Sequence, residues 1–247
     1  MDTPFFIFGA ALVCCTLASQ FGLYLRRRSE VTNEAQADLG VVTAANLTLL
    51  ALLIGFSFNM ATSRYDARKR LEEDEAAAIR GAYLKAELLA PADAAKIEPL
   101  LGTYLGQRIA FYNTDEPKEL VRLRAATMQQ EKTLWDTTRL PAMEKPSSIT
   151  AMAVGSVDSI IKTHMDTEAA WINRIPPEEL VLLAIVALSA NFLTGFGARK
   201  SKSKLYFVLP ILVSIAMFLI ADIENPRQGI LRIPPDNLQS VQTIVRQ

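Results

Sequence analysis

The sequence predicts an all-α membrane protein, with four transmembrane helices and an extramembrane helical domain inserted between the second and third. Three observations lead there. Four windows, Phe5–Leu25, Leu39–Ser63, Leu180–Ala198 and Leu205–Ala221, contain no charged residue, so all 26 basic and all 26 acidic residues fall elsewhere in the 247-residue chain. Each window has the length needed to cross about 30 Å of hydrocarbon, roughly 17–25 apolar residues. The polar stretch between the second and third windows shows no alternating strand pattern and no Gly-rich turn between alternating residues; its pattern is helical.

The elements follow in order. The first window has no basic segment before it, its charges Arg26, Arg27 and Arg28 come after it, and its apolar run is too long for a signal-peptide core. It reads as an uncleaved anchor. The second window runs into Arg68-Lys69-Arg70-Leu71-Glu72-Glu73-Asp74-Glu75 without Gly or Pro. Its helix is therefore expected to continue out of the membrane to about Leu89. Further helices are expected over 92–112, 117–139 and 147–173, with Pro at helix openings and Ser147 as a cap. Breaks are expected around Asn113–Pro117 and Pro141–Pro146. Ile175-Pro176-Pro177 marks the return to the membrane. The tail carries Pro226, Gly229, Pro234 and Pro235 and is expected to be largely extended. The expected domains are 1–63 (first two spans), 64–179 (helical domain), 180–222 (last two spans) and 223–247 (extended tail).

Four spans put the helical domain on one side and the two short loops on the other. Those loops hold Arg26, Arg27, Arg28, Arg199, Lys200, Lys202 and Lys204. Seven basic residues, Arg64, Arg68, Lys69, Arg70, Arg174, Arg227 and Arg232, flank the spans on the other side, but short loops weigh more in the positive-inside rule, so the loops are expected to be cytoplasmic and the helical domain outside, the reverse orientation being the alternative.

Composition excludes several functions. Half of the residues are hydrophobic and mean hydropathy is +0.18, so disorder is not expected. Net charge is +0, which leaves no basic excess for nucleic acid. One histidine, His164, and two adjacent cysteines inside a span, Cys14 and Cys15, do not make a zinc site, and no metal or cofactor is expected. The G-x-S-x-G, P-loop, G-x-G-x-x-G and H-E-x-x-H patterns are absent, so no enzyme and no catalytic residue is expected. The run Glu72-Glu73-Asp74-Glu75 reads as a solvated acidic collar. Consecutive residues diverge by about 100° on a helix, too far apart to gather a calcium shell. His164 reads as a surface or interhelical contact.

The second span is the most informative segment. At about 100° per residue it presents two opposed stripes. Thr43, Asn46, Leu50, Ile54, Ser57 and Ala61, continuing to Arg64 and Arg68, form one. Polar at both ends and aliphatic at Leu50 and Ile54, it is the expected pore lining, with Arg64 and Arg68 at the mouth. Thr48, Ala51, Gly55, Asn59 and Thr62 form the other, where Gly55 and Asn59 are the expected helix-packing positions. Asn191 in the third span is expected to hydrogen-bond a neighbouring helix. Asp222 and Glu224, at the end of the fourth span, emerge on the same side as Arg64 and Arg68 and are the expected partners in an interface ion pair.

The stretch Leu52-Leu53-Ile54-Gly55-Phe56-Ser57-Phe58-Asn59-Met60-Ala61-Thr62-Ser63-Arg64-Tyr65-Asp66-Ala67-Arg68 resembles the bacterial bestrophin-like family. Asn173-Arg174-Ile175-Pro176-Pro177 and Asp222-Ile223-Glu224-Asn225-Pro226-Arg227-Gln228-Gly229-Ile230-Leu231-Arg232-Ile233 are similar to it as well. The resemblance covers nearly the whole chain. It implies kinship with bestrophins, homopentameric anion channels whose second span lines a pore with an aliphatic and aromatic neck and whose helical domain is cytosolic. This chain lacks the aromatic-rich neck pattern.

The expected function is thus a multi-pass protein of the bacterial inner membrane, a homo-oligomeric ion channel conducting anions, with the second span lining the pore. Its partners are the lipid bilayer, further copies of itself and inorganic ions. The alternative is a non-conducting membrane protein whose helical domain binds a partner or senses the envelope. A secondary transporter is weaker still, since no inverted repeat is evident.

Overall fold

The computed structural model describes residues 3–30, 32–198 and 207–245. Among these the chain is all-α, in eight helices: α1 Thr3–Arg28, α2 Asn33–Ala86, α3 Pro91–Asn113, α4 Pro117–Glu144, α5 Ser148–Ile172, α6 Pro177–Phe196, α7 Val208–Glu224 and α8 Asp236–Val245. Three helical stretches are long and apolar enough to cross a membrane: Pro4–Arg28, Asn33–Ala86 and Ser148–Phe196, the last taking in α5 and α6. The fourth apolar window falls on α7, which has 17 residues. The expected basic loop with Arg199, Lys200, Lys202 and Lys204 lies outside the described residues.

The helix boundaries have local causes. Pro91, Pro117 and Pro177 each open a helix, where the missing N–H costs nothing. The Ser147 hydroxyl accepts from the Thr150 amide while the Thr150 hydroxyl accepts from the Ser147 amide, a reciprocal cap that starts α5. Two expectations change. α4 runs through Pro141 to Glu144; a proline this close to the helix end removes one bond, and its own carbonyl still accepts from the Lys145 amide. The tail is not extended throughout: beyond Pro234 and Pro235, residues 236–245 form α8, because Leu238 and Val241 fall three apart on one face and are buried there.

The chain divides into two compact units. Unit 1 comprises Met1–Tyr65 and Arg174–Leu231. In it α1 packs along α6 and α7. Its core gathers Cys15, Leu50, Ala61, Leu183, Val186, Ala187, Ala190, Val213 and Ile220. Two glycines set the α1–α6 approach: a Cβ on Gly22 would overlap the Phe192 carbonyl oxygen, and one on Gly195 the Ser19 carbonyl oxygen. Small residues at such crossings let helix backbones close to van der Waals distance.

Unit 2 comprises Asp66–Asn173 and Arg232–Gln247. In it α3 packs on α4, α4 on α5, and α8 on α3. Its interior holds Ile79, Leu101, Tyr104, Leu105, Phe111, Leu134 and Ile160, together with two fully buried arginines, Arg68 and Arg108.

Candidate functional site: the second helix and its charged partners

Within unit 1, α2 turns its two stripes the opposite way from the sequence expectation. Thr43, Asn46 and Ile54 are half-buried, and Leu50, Ser57 and Ala61 are buried. Leu50, 2% exposed, sits in the core with Leu183 and Ala187. Of its polar members, Thr43 donates to the Leu39 carbonyl of its own helix, while Asn46 and Ser57 are bonded to α6. The Asn46 amide donates to the Ser189 hydroxyl at 2.9 Å, and the Ser57 hydroxyl donates to Glu179 at 2.8 Å. Polar side chains in an apolar environment seek partners on neighbouring helices. The stripe read as a pore lining is therefore the face that α2 packs against the rest of its own chain.

The other face is open. Thr48, Ala51, Gly55 and Asn59 are exposed and Thr62 is half-buried. A Cβ on Gly55 would meet nothing within 4 Å, so Gly55 is not a packing glycine within the chain; Gly22 and Gly195 are. Leu52 and Phe56 stand on the same side, 52% and 58% exposed. Only 6% of the residues in the most apolar stretch of α2 are buried within the chain, against 28% in that of α1. Asn191 is fully buried on α6, where its amide donates to the Ala187 carbonyl at 2.8 Å, within its own helix.

The charged ends resolve differently for each residue. Arg64 Nε lies 3.9 Å from Glu224 Oε1, and the Ile175 amide donates to Glu224 Oε2 at 3.2 Å. Asp222 does not meet an arginine. Its two oxygens accept the Ile230 and Leu231 amides at 2.7 and 3.0 Å, folding the chain back after α7. Gly229 is required in that turn, since a Cβ there would press on the Asp222 carbonyl and carboxylate. In unit 2, Arg68 is buried and donates to the Ala170 and Asn173 carbonyls at 3.0 and 2.9 Å. It thus caps the C-terminal end of α5, where unpaired carbonyls favour a cation.

The acidic run is a solvated collar only at Glu73 and Asp74, which are exposed. Glu72 and Glu75 are each 1% exposed. Glu72 accepts the Asn237 side-chain amide at 2.6 Å and the Leu238 backbone amide at 3.0 Å, holding the start of α8. Glu75 accepts two bonds from Arg108, at 2.8 and 3.3 Å. Burial works against the Arg108 charge, but the Glu75 carboxylate outweighs it, so the guanidinium is held more firmly protonated than usual. Burial also pushes the Tyr104 phenol well above its ordinary range.

The arginine extends the network: Glu168 lies 4.0 Å from Arg108 and 2.7 Å from Arg124. His164 makes an interhelical contact, its Nδ1 2.7 Å from Glu131 Oε1. Arg108 also lies over the Phe111 ring at 4.4 Å. Sequence reading missed this network, although a signal was present. Ile97, Leu101, Tyr104, Leu105, Arg108, Phe111 and Tyr112 share the inner face of α3, and a charge on an apolar stripe requires a partner. Among the described residues, no three His, Cys, Asp or Glu side chains gather as metal ligands, and Cys14 and Cys15 are free thiols.

Residues 5–238 match the Bestrophin-like domain family. No curated protein matches the chain in sequence. Solved structures of similar fold include a tryptophan-to-alanine variant of the bacterial bestrophin homolog from Klebsiella pneumoniae, 15% identical, covering 99% of this chain and 97% of that one with a TM-score of 0.69. The same homolog, phased on zinc, is 16% identical with coverage of 98% and 96% and a TM-score of 0.66. A third, described as a membrane protein with a proline-to-alanine change, is 16% identical with coverage of 99% and 98% and a TM-score of 0.63.

Proposed function

The chain belongs to the bestrophin-like domain family, and on that premise we propose that it is a homo-oligomeric ion channel of the bacterial inner membrane, pentameric by family resemblance. In this reading four spans cross the bilayer, on α1, on residues 39–63 of α2, on α6 and on α7. Residues 64–179 form an inserted extramembrane helical domain.

The observation that carries the proposal is the open face of α2. A surface meeting lipid alone is expected to be uniformly apolar. This one carries Thr48, Asn59 and Ser63, with Gly55 among them, and concentrates its bulk in Leu52 and Phe56. Polar and small positions flanking a short apolar section fit a water-filled path with a hydrophobic constriction. The pore is accordingly assigned to the face of Thr48, Leu52, Gly55, Phe56 and Asn59, in place of the stripe through Leu50 and Ile54.

Anions as the permeant species rest on the family resemblance. A basic mouth gives them no support, because Arg64 lies beside Glu224 and Arg68 holds backbone carbonyls.

The test is halide flux through liposomes holding the purified chain, with single-channel recording in planar bilayers. Flux above that of empty vesicles from an intact oligomer is the expected result. Background flux from an intact oligomer would leave the non-conducting alternative, a membrane protein whose helical domain binds a partner.

A further inference from the structure

Unit 1 contains a cavity of about 360 Å³ between α1, α6 and α7, walled by Ile7, Leu180, Leu183, Met217 and Ile220. That is within the size range of ligand sites, roughly 300–1,000 Å³. Its polar groups are confined to one end, where Arg174 precedes α6 and where Glu224 and Asn225 close α7.

The charges at that end are unequal. Glu224 is engaged by Arg64 and by the Ile175 amide. Arg174 is exposed and makes no ion pair among the described residues. The lining thus holds one guanidinium, Arg174, and one carboxylate, Glu224, whose charge is already met by Arg64, above an apolar chamber that opens beside helices of membrane-spanning composition.

We infer that this cavity binds one acyl chain of an anionic membrane phospholipid, with the phosphate on Arg174. The chamber replaces lipid contact for a single chain, and a planar guanidinium matches the geometry of a phosphate. A zwitterionic lipid offers the same chain, but its own cation offsets the attraction. The site is separate from the proposed pore face and does not depend on conduction.

The full chain, purified in detergent and stripped of lipid, is titrated with phosphatidylglycerol, phosphatidylcholine and oleate, and read by native mass spectrometry. One phosphatidylglycerol per subunit is expected, bound more tightly than either of the others. Arg174→Gln weakens phosphatidylglycerol by about two- to five-fold, the loss of one exposed ion pair, and leaves phosphatidylcholine unchanged. Ala221→Phe, which projects a ring from the wall, weakens phosphatidylglycerol by at least about tenfold, as leaving two or three methylenes unburied would. Leu180→Trp at the exposed rim gives the same block without disturbing the interior, should Ala221→Phe not fold. Unchanged phosphatidylglycerol binding in a folded blocking variant, equal binding of the two phospholipids, or preference for oleate overturns the assignment. Flux measured on the same preparations reports on the channel proposal separately.

Discussion

Replacing Leu50 and Leu52 by serine, one at a time, separates the two faces of α2. The residues are two apart on a helix, so they point to opposite sides. Leu50 is 2% exposed and belongs to the core of unit 1; Leu52 is 52% exposed. Truncating a buried leucine costs about 2–5 kcal/mol in a water-soluble core. Between helices in a bilayer the loss is mainly of van der Waals contact, which places it at the low end, about 2–3 kcal/mol. The new hydroxyl adds little, since it can bond the carbonyl four residues back, as Thr48 does to Ala44 and Thr62 to Phe58. A loss of that size lowers Tm by about 4–12 °C in a chain of this length. Leu52→Ser leaves that buried core intact and shifts Tm by no more than about 2 °C, as exposed substitutions do. On the proposed pore face its expected effect is on conduction: a hydroxyl in a narrow aliphatic ring would let water persist and raise basal flux. Unfolding followed by intrinsic fluorescence in detergent and halide flux in liposomes measure the two quantities on one preparation. The reasoning fails if Leu50→Ser keeps its Tm and raises flux while Leu52→Ser matches the unmodified chain in both.

Four further outcomes are expected. Gly195→Ala drives a methyl into the Ser19 backbone and lowers stability by about 1–3 kcal/mol, whereas Gly55→Ala, with open space around it, leaves the isolated subunit's unfolding unchanged; thermal melts compare them. Arg64→Glu destabilises the end of α7, and adding Glu224→Arg restores part of the loss, with a coupling of about 0.2–1 kcal/mol in a double-mutant cycle; adding Asp222→Arg restores nothing, because that carboxylate holds two amides. Arg108→Met strands the Glu75 carboxylate and costs about 3–5 kcal/mol in chaotrope melts, while combining it with Glu75→Leu recovers much of that; a double variant no better than the single would show that the pair is not what the site needs. A cysteine at Ser29, exposed between α1 and α2, reacts with an impermeant reagent only from the cytoplasm, and one at Thr114 only from outside; the reverse labelling would give the chain the sidedness of bestrophins.

The sequence by itself determined where the helices lie. Charge-free windows of membrane-spanning length, prolines at helix openings and the Ser147 cap act locally, so they can be read residue by residue. The family, too, was legible in three short stretches. Periodicity also separated the two stripes of α2 correctly, because 100° per residue fixes which side chains share a face. It could not say which stripe turns inward. That choice was made by the partners: Ser189 and Glu179 bond Asn46 and Ser57, and Leu183 and Ala187 close over Leu50. The carboxylates at 72 and 75 follow the same rule. Alone on a helix they are solvated charges. They are buried because Arg108 and the start of α8, far away in sequence, supply the hydrogen bonds that make burial tolerable. A helix's angular pattern is a property of its own residues, whereas the direction it faces is decided by whichever neighbours can satisfy its polar groups.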